Sequence, residues 1–135
     1  MGTLSNLGFG IPTYFPYGLV ENPVQAKGST DVIPVGSGEV FITTAGVDAM
    51  TLALPKAGVY PAGVAQSLGD PRDDGKEIVI ISTTLFAHTI TTPTNGINGS
   101  LHLVTFGALA AGNYIRLKAF NGTWWQLDSR NATVT

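Results

Sequence analysis

From residue 30 to the C-terminus the chain is cut into short runs rich in Val, Ile, Thr and aromatic residues, and turn residues fill the gaps between them. The runs are DVIPV, EVFITT, AMTLAL, KEIVIIST, AHTITT, LHLVTF, NYIRLKAF and TWWQLD. The gaps hold Gly-Ser-Gly, Lys-Ala-Gly, Asp-Asp-Gly, Asn-Gly and Ala-Gly-Asn, where glycine and asparagine supply the positive φ that tight turns need. Runs of this length leave no room for a helical period. The expectation is an all-β domain over residues 29–135, a compact antiparallel β-sandwich or barrel of about eight short strands. The one stretch with helical character, AGVAQSLGD at 62–70, is short and closed by glycine; with the following PRDDG it reads as a surface loop.

The first 28 residues differ in kind. Glycine, proline and aromatic residues intermix in LGFGIPTYFPYGLVENPVQ without a period of 2 or 3.6. Pro12, Pro16 and Pro23 forbid a helix interior or a central strand, so residues 1–28 read as an extended N-terminal arm. Its aromatic residues Phe9, Tyr14, Phe15 and Tyr17 are candidates for contact with a partner, because a proline-set extended chain loses little entropy when it lies in a groove.

An internal repeat runs ungapped at an offset of 38, from Glu39–Gly58 onto Glu77–Gly96. Glu39, Ala49, Thr51, Pro55 and Gly58 meet identical residues, and Val40, Ile42 and Leu52 meet Ile78, Ile80 and Ile90. Each copy reads as strand, short loop, strand and a Pro-x-x-Gly turn. Two such hairpins are expected to cover each other's apolar faces.

Composition narrows the function. At 135 residues the chain has the size of one domain. Charged residues make up 12% and the formal net charge is −2, which gives neither a nucleic-acid footprint nor a basic membrane-attracting face. With 44% hydrophobic residues, so sparsely charged a surface points to self-association. No stretch reaches the ~18 apolar residues of a membrane span, and the N-terminus has no basic, then apolar, leader pattern. Asn6 stands where an N-myristoylation signal needs Ser or Thr. The expectation is a soluble protein made inside a cell.

Candidate chemistry is thin. There is no cysteine, hence no disulfide and no thiolate site. The two histidines, His88 and His102, flank a turn-rich stretch, and hairpin pairing would bring their rings together across the sheet. They remain short of the roughly three protein ligands of a catalytic zinc. There is no Gly-x-Ser-x-Gly elbow, and no acid is placed to orient either imidazole. Asp70, Asp73 and Asp74 in DPRDDG supply hard oxygens and Gly75 a sharp turn, but the spacing departs from a calcium loop and Arg72 and Lys76 neutralise much of the charge. The carboxylates of that cluster sit in a turn rather than a glycosidase cleft. Sequons occur at Asn98, Asn121 and Asn131; the first two precede glycine and read as hairpin turns. The expected catalytic, metal and cofactor sets are therefore empty.

Aromatic residues remain. Trp124 and Trp125 are adjacent in a strand and point to opposite faces, one into the core and one outward. Tyr114, Arg116, Lys118 and Phe120 share one face of their strand, and Ile115, Leu117 and Ala119 share the other, apolar face. Tyr114, Arg116, Phe120 and Trp124 are the candidates for a subunit interface.

The segments EVFITTAGVDAMTLALPKAG, DDGKEIVIISTTLFAHTITTPTNGINGS and LHLVTFGALAAGNYIRLKAFNGTWWQL, spanning roughly residues 36–128, resemble small structural proteins of tailed bacteriophage particles, in particular capsid decoration or cement proteins. The likeness lies in G-K-x-I-x-I-x-S-T-T-x-x-A-H-T-I-T-T-P followed by A-F-N-G-x-W. It implies an all-β virion protein without enzyme activity, made in the host cytoplasm, that docks as a homotrimer on the major capsid protein at the outer shell surface and reinforces it. It brings no catalytic residues, and the arm matches no motif. A trimeric tail-fibre, spike or baseplate module shares the same texture. A carbohydrate-binding β module or a hydrolase fragment belongs to a different class, which glycan stacking on the outward tryptophan would favour.

Overall fold

The computed structural model describes residues 24–26, 31–57 and 72–135. Most of the expected arm, with Phe9, Tyr14, Phe15 and Tyr17, and the 62–70 stretch lie outside the described residues. Among the described residues there are ten strands: β1 (Val24–Ala26), β2 (Val32–Ile33), β3 (Glu39–Ile42), β4 (Ala49–Leu52), β5 (Glu77–Ser82), β6 (Thr89–Thr91), β7 (Leu103–Phe106), β8 (Asn113–Phe120), β9 (Thr123–Arg130) and β10 (Ala132–Val134). Apart from them the only regular element among the described residues is one 3-10 turn, Val35–Ser37. Each of the eight sequence runs holds one strand. The two others are β1, within the stretch read as the arm, and β10 at the C-terminus.

The strands form two five-stranded sheets, β1-β3-β5-β8-β9 (sheet 1) and β10-β7-β6-β4-β2 (sheet 2). They pack as a β-sandwich, not a closed barrel. The expectation of an antiparallel fold is corrected: both sheets are mixed. Strands β1, β3 and β5 run parallel, as do β2, β4 and β6, and only the β8-β9 and β7-β10 sides are antiparallel.

The internal repeat explains this. Its two copies do not form hairpins. The strands of each copy lie in different sheets, β3 and β5 in sheet 1, β4 and β6 in sheet 2. The loops between them, residues 43–48 and 83–88, are long enough to cross from one sheet to the other. The copies therefore stack strand on strand, parallel, as consecutive turns of a coil. Across the ladder Val40 meets Ile80 and Met50 meets Ile90, two residues beyond the partners of the sequence repeat. A slip of two moves a strand by one full pleat and keeps every side chain on its original face, so the repeat and the register agree about what is core.

Alternation does the rest. In β5 every second residue from Ile78 is buried, and β8 buries Asn113, Ile115, Leu117 and Ala119. Ile42, Leu52, Ile80, Ile90, Phe106 and Trp124 are fully enclosed between the sheets. Where true hairpins occur, they use the turn chemistry expected. Asn121 and Gly122 (φ 50° and 79°) join β8 to β9, and Asn98 and Gly99 (φ 51° and 80°) close a turn in which Ser100 N–H donates to the Ile97 carbonyl.

Candidate functional site

The two-residue Asn121–Gly122 turn sets the register that builds the site. It places Phe120 opposite Thr123, Ala119 opposite Trp124 and Lys118 opposite Trp125. Because Ala119 faces the core, Trp124 must as well. Its ring is fully buried, and its Nε1 donates to the Ala53 carbonyl at 2.9 Å. Its backbone N–H donates to Gly96 O, and its carbonyl accepts from Asn98 N–H. The assignment of Trp124 to a subunit interface is thus corrected: a ring closed off between two sheets has no surface to offer, and the outward ring is Trp125. The signal was available, since a two-residue turn next to a core alanine decides the parity of both tryptophans.

Trp125, Phe120 and Leu127 are 42%, 59% and 46% exposed, unusual for residues of this size side by side on a strand pair. With Gly75, Lys118 and Ala119 they line a shallow apolar groove of about 350 Å³ on the outer face of sheet 1. The pairing shifts register between Arg116 and Leu117, where Arg116 meets Asp128 and Leu117 meets Gln126, leaving Leu127 as the extra residue of a bulge. Trp125 is steadied by its Nε1, which donates to the Phe120 carbonyl at 3.3 Å. The groove is carried by strands, so its shape is set by the ladder.

Beyond the groove the same face is polar. Glu77 lies between Arg116 (3.9 Å) and Lys118 (3.5 Å). The Tyr114 hydroxyl donates to Asp128 Oδ2 at 2.7 Å, and that bond, reinforced by the carboxylate's charge, pushes the phenol up from its usual value. Tyr114, Arg116 and Phe120 all face outward with Trp125, as the alternation of β8 requires.

The outer face of sheet 2 has another composition. Its ladder sets Thr133, Thr105, Thr89 and Ala49 in one row and Leu103, Thr91, Thr51 and Val32 in the next.

The histidines do not meet. His88 lies opposite Phe106 and His102 opposite Thr92, at the two ends of the β6–β7 ladder. The expected approach across the sheet fails because the loop between β6 and β7 is long and folds onto itself through the Ile97–Leu101 bridge. His102 is exposed. His88 is fully buried, its Nδ1 accepting the Asp48 N–H at 3.3 Å and its Nε2 lying 2.7 Å from Thr84 Oγ1. A backbone N–H can only donate, so Nδ1 is unprotonated and Nε2–H donates to the Thr84 hydroxyl. Burial holds this imidazole below its usual pKa, opposed by the charge of Asp48. It acts as a neutral clasp between the 43–48 and 83–88 loops.

The acidic turn is likewise taken up by structure. Asp73 accepts the Lys56 N–H at 2.7 Å and the Lys76 ammonium at 2.8 Å. Burial alone would push this carboxyl up, but those two donors and the charges of Lys76 and Lys56 hold it below the usual range. Asp74 accepts the Asn121 N–H at 2.7 Å, tying the turn to the β8–β9 hairpin. Among the described residues no cluster of three His, Cys, Asp or Glu is placed to hold a metal ion, and no helix there is long and apolar enough to cross a membrane.

Among the described residues, one face of the sandwich carries an apolar groove with an exposed indole and a polar border, and the other carries a threonine-rich sheet. No family model matches the chain, and no curated protein is similar to it at a significant level.

Proposed function

We propose that this chain is a non-enzymatic structural protein of a tailed-phage particle, binding the outer capsid surface as a homotrimer, with the major capsid protein as its partner, and stabilising the shell. The observation that carries the reading is the strand-built groove of Phe120, Trp125 and Leu127. Exposed aromatic residues on a rigid sheet are the usual anchors of protein interfaces, and this groove has the size to take a side chain or a short extended segment of a shell protein. The resemblance of residues 36–128 to decoration proteins points the same way.

Stabilisation would follow from burial across capsomer boundaries. Binding only the assembled shell shifts its equilibrium by mass action, and three linked copies multiply a modest single-site affinity.

The test is sedimentation of purified chain with its own phage's shells, prepared without it, together with light scattering of the free chain with and without residues 1–28. Saturable binding of a trimer, weakened by Trp125→Ala and Phe120→Ala, is expected; shells that never retain the chain would sink the reading. The exposed Trp125 ring favours one second reading, a carbohydrate-contacting tail module. Glycan binding by the isolated chain, lost in Trp125→Ala, would establish it.

A further inference from the structure

The clasp at His88 is built for one protonation state. Nδ1 accepts the Asp48 N–H at 3.3 Å, Nε2 lies 2.7 Å from Thr84 Oγ1, and the residue is fully buried. A proton added to this imidazole goes to Nδ1, because Nε2 already carries one. The new Nδ1–H then points at the Asp48 N–H, two donors face to face with no acceptor between them. The bond from Nε2–H to Thr84 survives the change, so the conflict falls on the contact with the 43–48 loop alone.

An acceptor that resolves it sits on the same residue. Asp48 Oδ2 is buried and has no hydrogen-bond partner, an unfavourable state for a carboxylate oxygen. It belongs to the residue whose N–H occupies Nδ1, and its charge reaches the ring. The other groups around the imidazole are neutral. Phe86 is set edge-on to the ring with centroids 6.3 Å apart, and Phe106 lies opposite His88 across the ladder. The 107–112 segment, which meets the 83–88 loop where the Leu109 N–H donates to the Leu85 carbonyl, holds no titratable residue.

We infer that His88 and Asp48 form an acid-triggered latch between the two crossing loops. With a neutral imidazole, Nδ1 holds the 43–48 loop by the Asp48 backbone N–H. After proton uptake from solvent, the Asp48 carboxylate takes the Nδ1–H in place of that amide, and the loop re-seats. The charged pair that results is buried but partnered on both sides, which is what lets a folded protein keep an imidazolium in its interior.

The ends of the loops limit the motion. The Thr83 N–H and Oγ1 both donate to the Ile42 carbonyl, at 3.0 and 2.9 Å, and the Thr89 N–H donates to the Asp48 carbonyl at 2.9 Å. None of these bonds involves the ring, so they tie the two loops at both ends in either state. Between them Gly46 (φ 153°) has nothing among the described residues within 4 Å of where a side chain would start, and Val47 is 66% exposed. The tip is free to move while the sheets stay in place. What acid alters is the end of the sandwich where Val47 and the 55% exposed Leu85 stand in water. Burial keeps the ring neutral past its ordinary value, so the clasp holds above about pH 6.5 and the latch turns on the acid side of it. The inference does not depend on what the groove of sheet 1 binds.

The experiment is a pH series of amide and imidazole nitrogen NMR spectra on the full chain, from neutrality downward. Near neutrality His88 is expected to show Nδ1 unprotonated and Nε2 protonated. As the ring takes up its proton, the amides of Val47, Asp48 and residues 83–88 should shift with it, while those of Ile80 and Ile90 keep their positions. Asp48→Ala retains the N–H and removes the carboxylate, and it should move this step toward acid by about one pH unit or more. Should that variant not fold, Asp48→Asn keeps the shape without the charge and is expected to move the step the same way. His102→Gln, at the other end of the ladder, should leave it unchanged. Three results would overturn the latch: a His88 titration that leaves the loop amides in place, one that coincides with loss of the Ile80 and Ile90 signals, or a step that stays where it is in the Asp48 variants.

Discussion

The two sheets share one core and turn opposite chemistry to the outside. Inward, they are alike: Ile80 on sheet 1 and Ile90 on sheet 2 are equally enclosed, and each sits at an inward position of its alternating strand. Outward, sheet 1 offers an apolar groove edged by ion pairs, and sheet 2 offers threonines without charge. In a sandwich the inward parity of each strand is consumed by folding, so only the outward parity is free to differ. Function has to be sought in the residues that the hydrophobic pattern leaves over.

The sharpest way to separate the two parities is the tryptophan pair, because neighbours in sequence fall on opposite sides. Trp124→Ala removes a fully buried ring and leaves the Ala53 carbonyl without its indole donor. It is expected to cost about 3–5 kcal/mol in urea unfolding. Trp125→Ala should cost less than about 1 kcal/mol, since its ring is already partly in water, while weakening the shell attachment proposed above. Equal losses from the two variants would mean that Trp125 belongs to the core and that the groove is not a free surface.

Next in size, Ile80→Ala and Ile90→Ala test whether the inner faces are as equivalent as they look. Each creates a cavity in a closed core, and each should lose about 2–5 kcal/mol, with similar values for the two. If the sheet 2 variant were much milder, the core would be centred on sheet 1, and sheet 2 would be a covering layer.

Acid distinguishes the loops at the two ends of the sandwich. His88 is held neutral in the folded protein, with its pKa below that of the unfolded chain at about 6.5. As pH falls below that value the unfolded chain binds a proton first. The stability His88 contributes is thus whole above about pH 6.5 and is lost as pH falls through its depressed folded value. Asp73, at the other end, is a carboxylate whose folded pKa is also lowered, so its contribution persists to lower pH and fades only in the acid range. A pH series of urea midpoints should show two steps, and His88→Gln should remove the upper one. An upper step unchanged in His88→Gln would assign it to another group.

Much of this was legible in the chain. Eight of the strands followed from runs of β-branched residues between glycine and asparagine turns, and the β8 parity followed from Tyr114, Arg116, Lys118 and Phe120 alternating with Ile115, Leu117 and Ala119. Strand direction was not. A period of two says which face a residue takes but not which strand lies beside it, and loops such as 43–48 serve a wide hairpin or a crossing between sheets equally well. Only the long-range ladder, Val40 on Ile80 and Met50 on Ile90, decides for the crossing. The groove was half legible: Phe120 was placed outward, but Trp125 needed the turn register, and Leu127 needed a bulge that no local pattern announces. The burial of His88 was hidden for a similar reason, since its partners Asp48 and Thr84 come from two different crossing loops.

The smallest expected effect lies on the polar border of sheet 1. Glu77 reaches Arg116 and Lys118 only at 3.9 and 3.5 Å, and both cations are nearly half exposed. Such pairs gain little Coulomb energy in water and lose side-chain entropy to hold their geometry. Glu77→Gln should therefore shift the unfolding free energy by no more than about 0.5 kcal/mol, with the difference shrinking further in high salt. Its effect on docking should be larger than its effect on folding, because losing the carboxylate leaves Arg116 and Lys118 unneutralised beside the groove. If the partner surface is acidic, attachment to shells strengthens at low salt; if it is basic, attachment weakens. Sedimentation at two ionic strengths reads that sign directly. No change at either strength would mean that only the apolar groove, and not the charged border around it, takes part in docking.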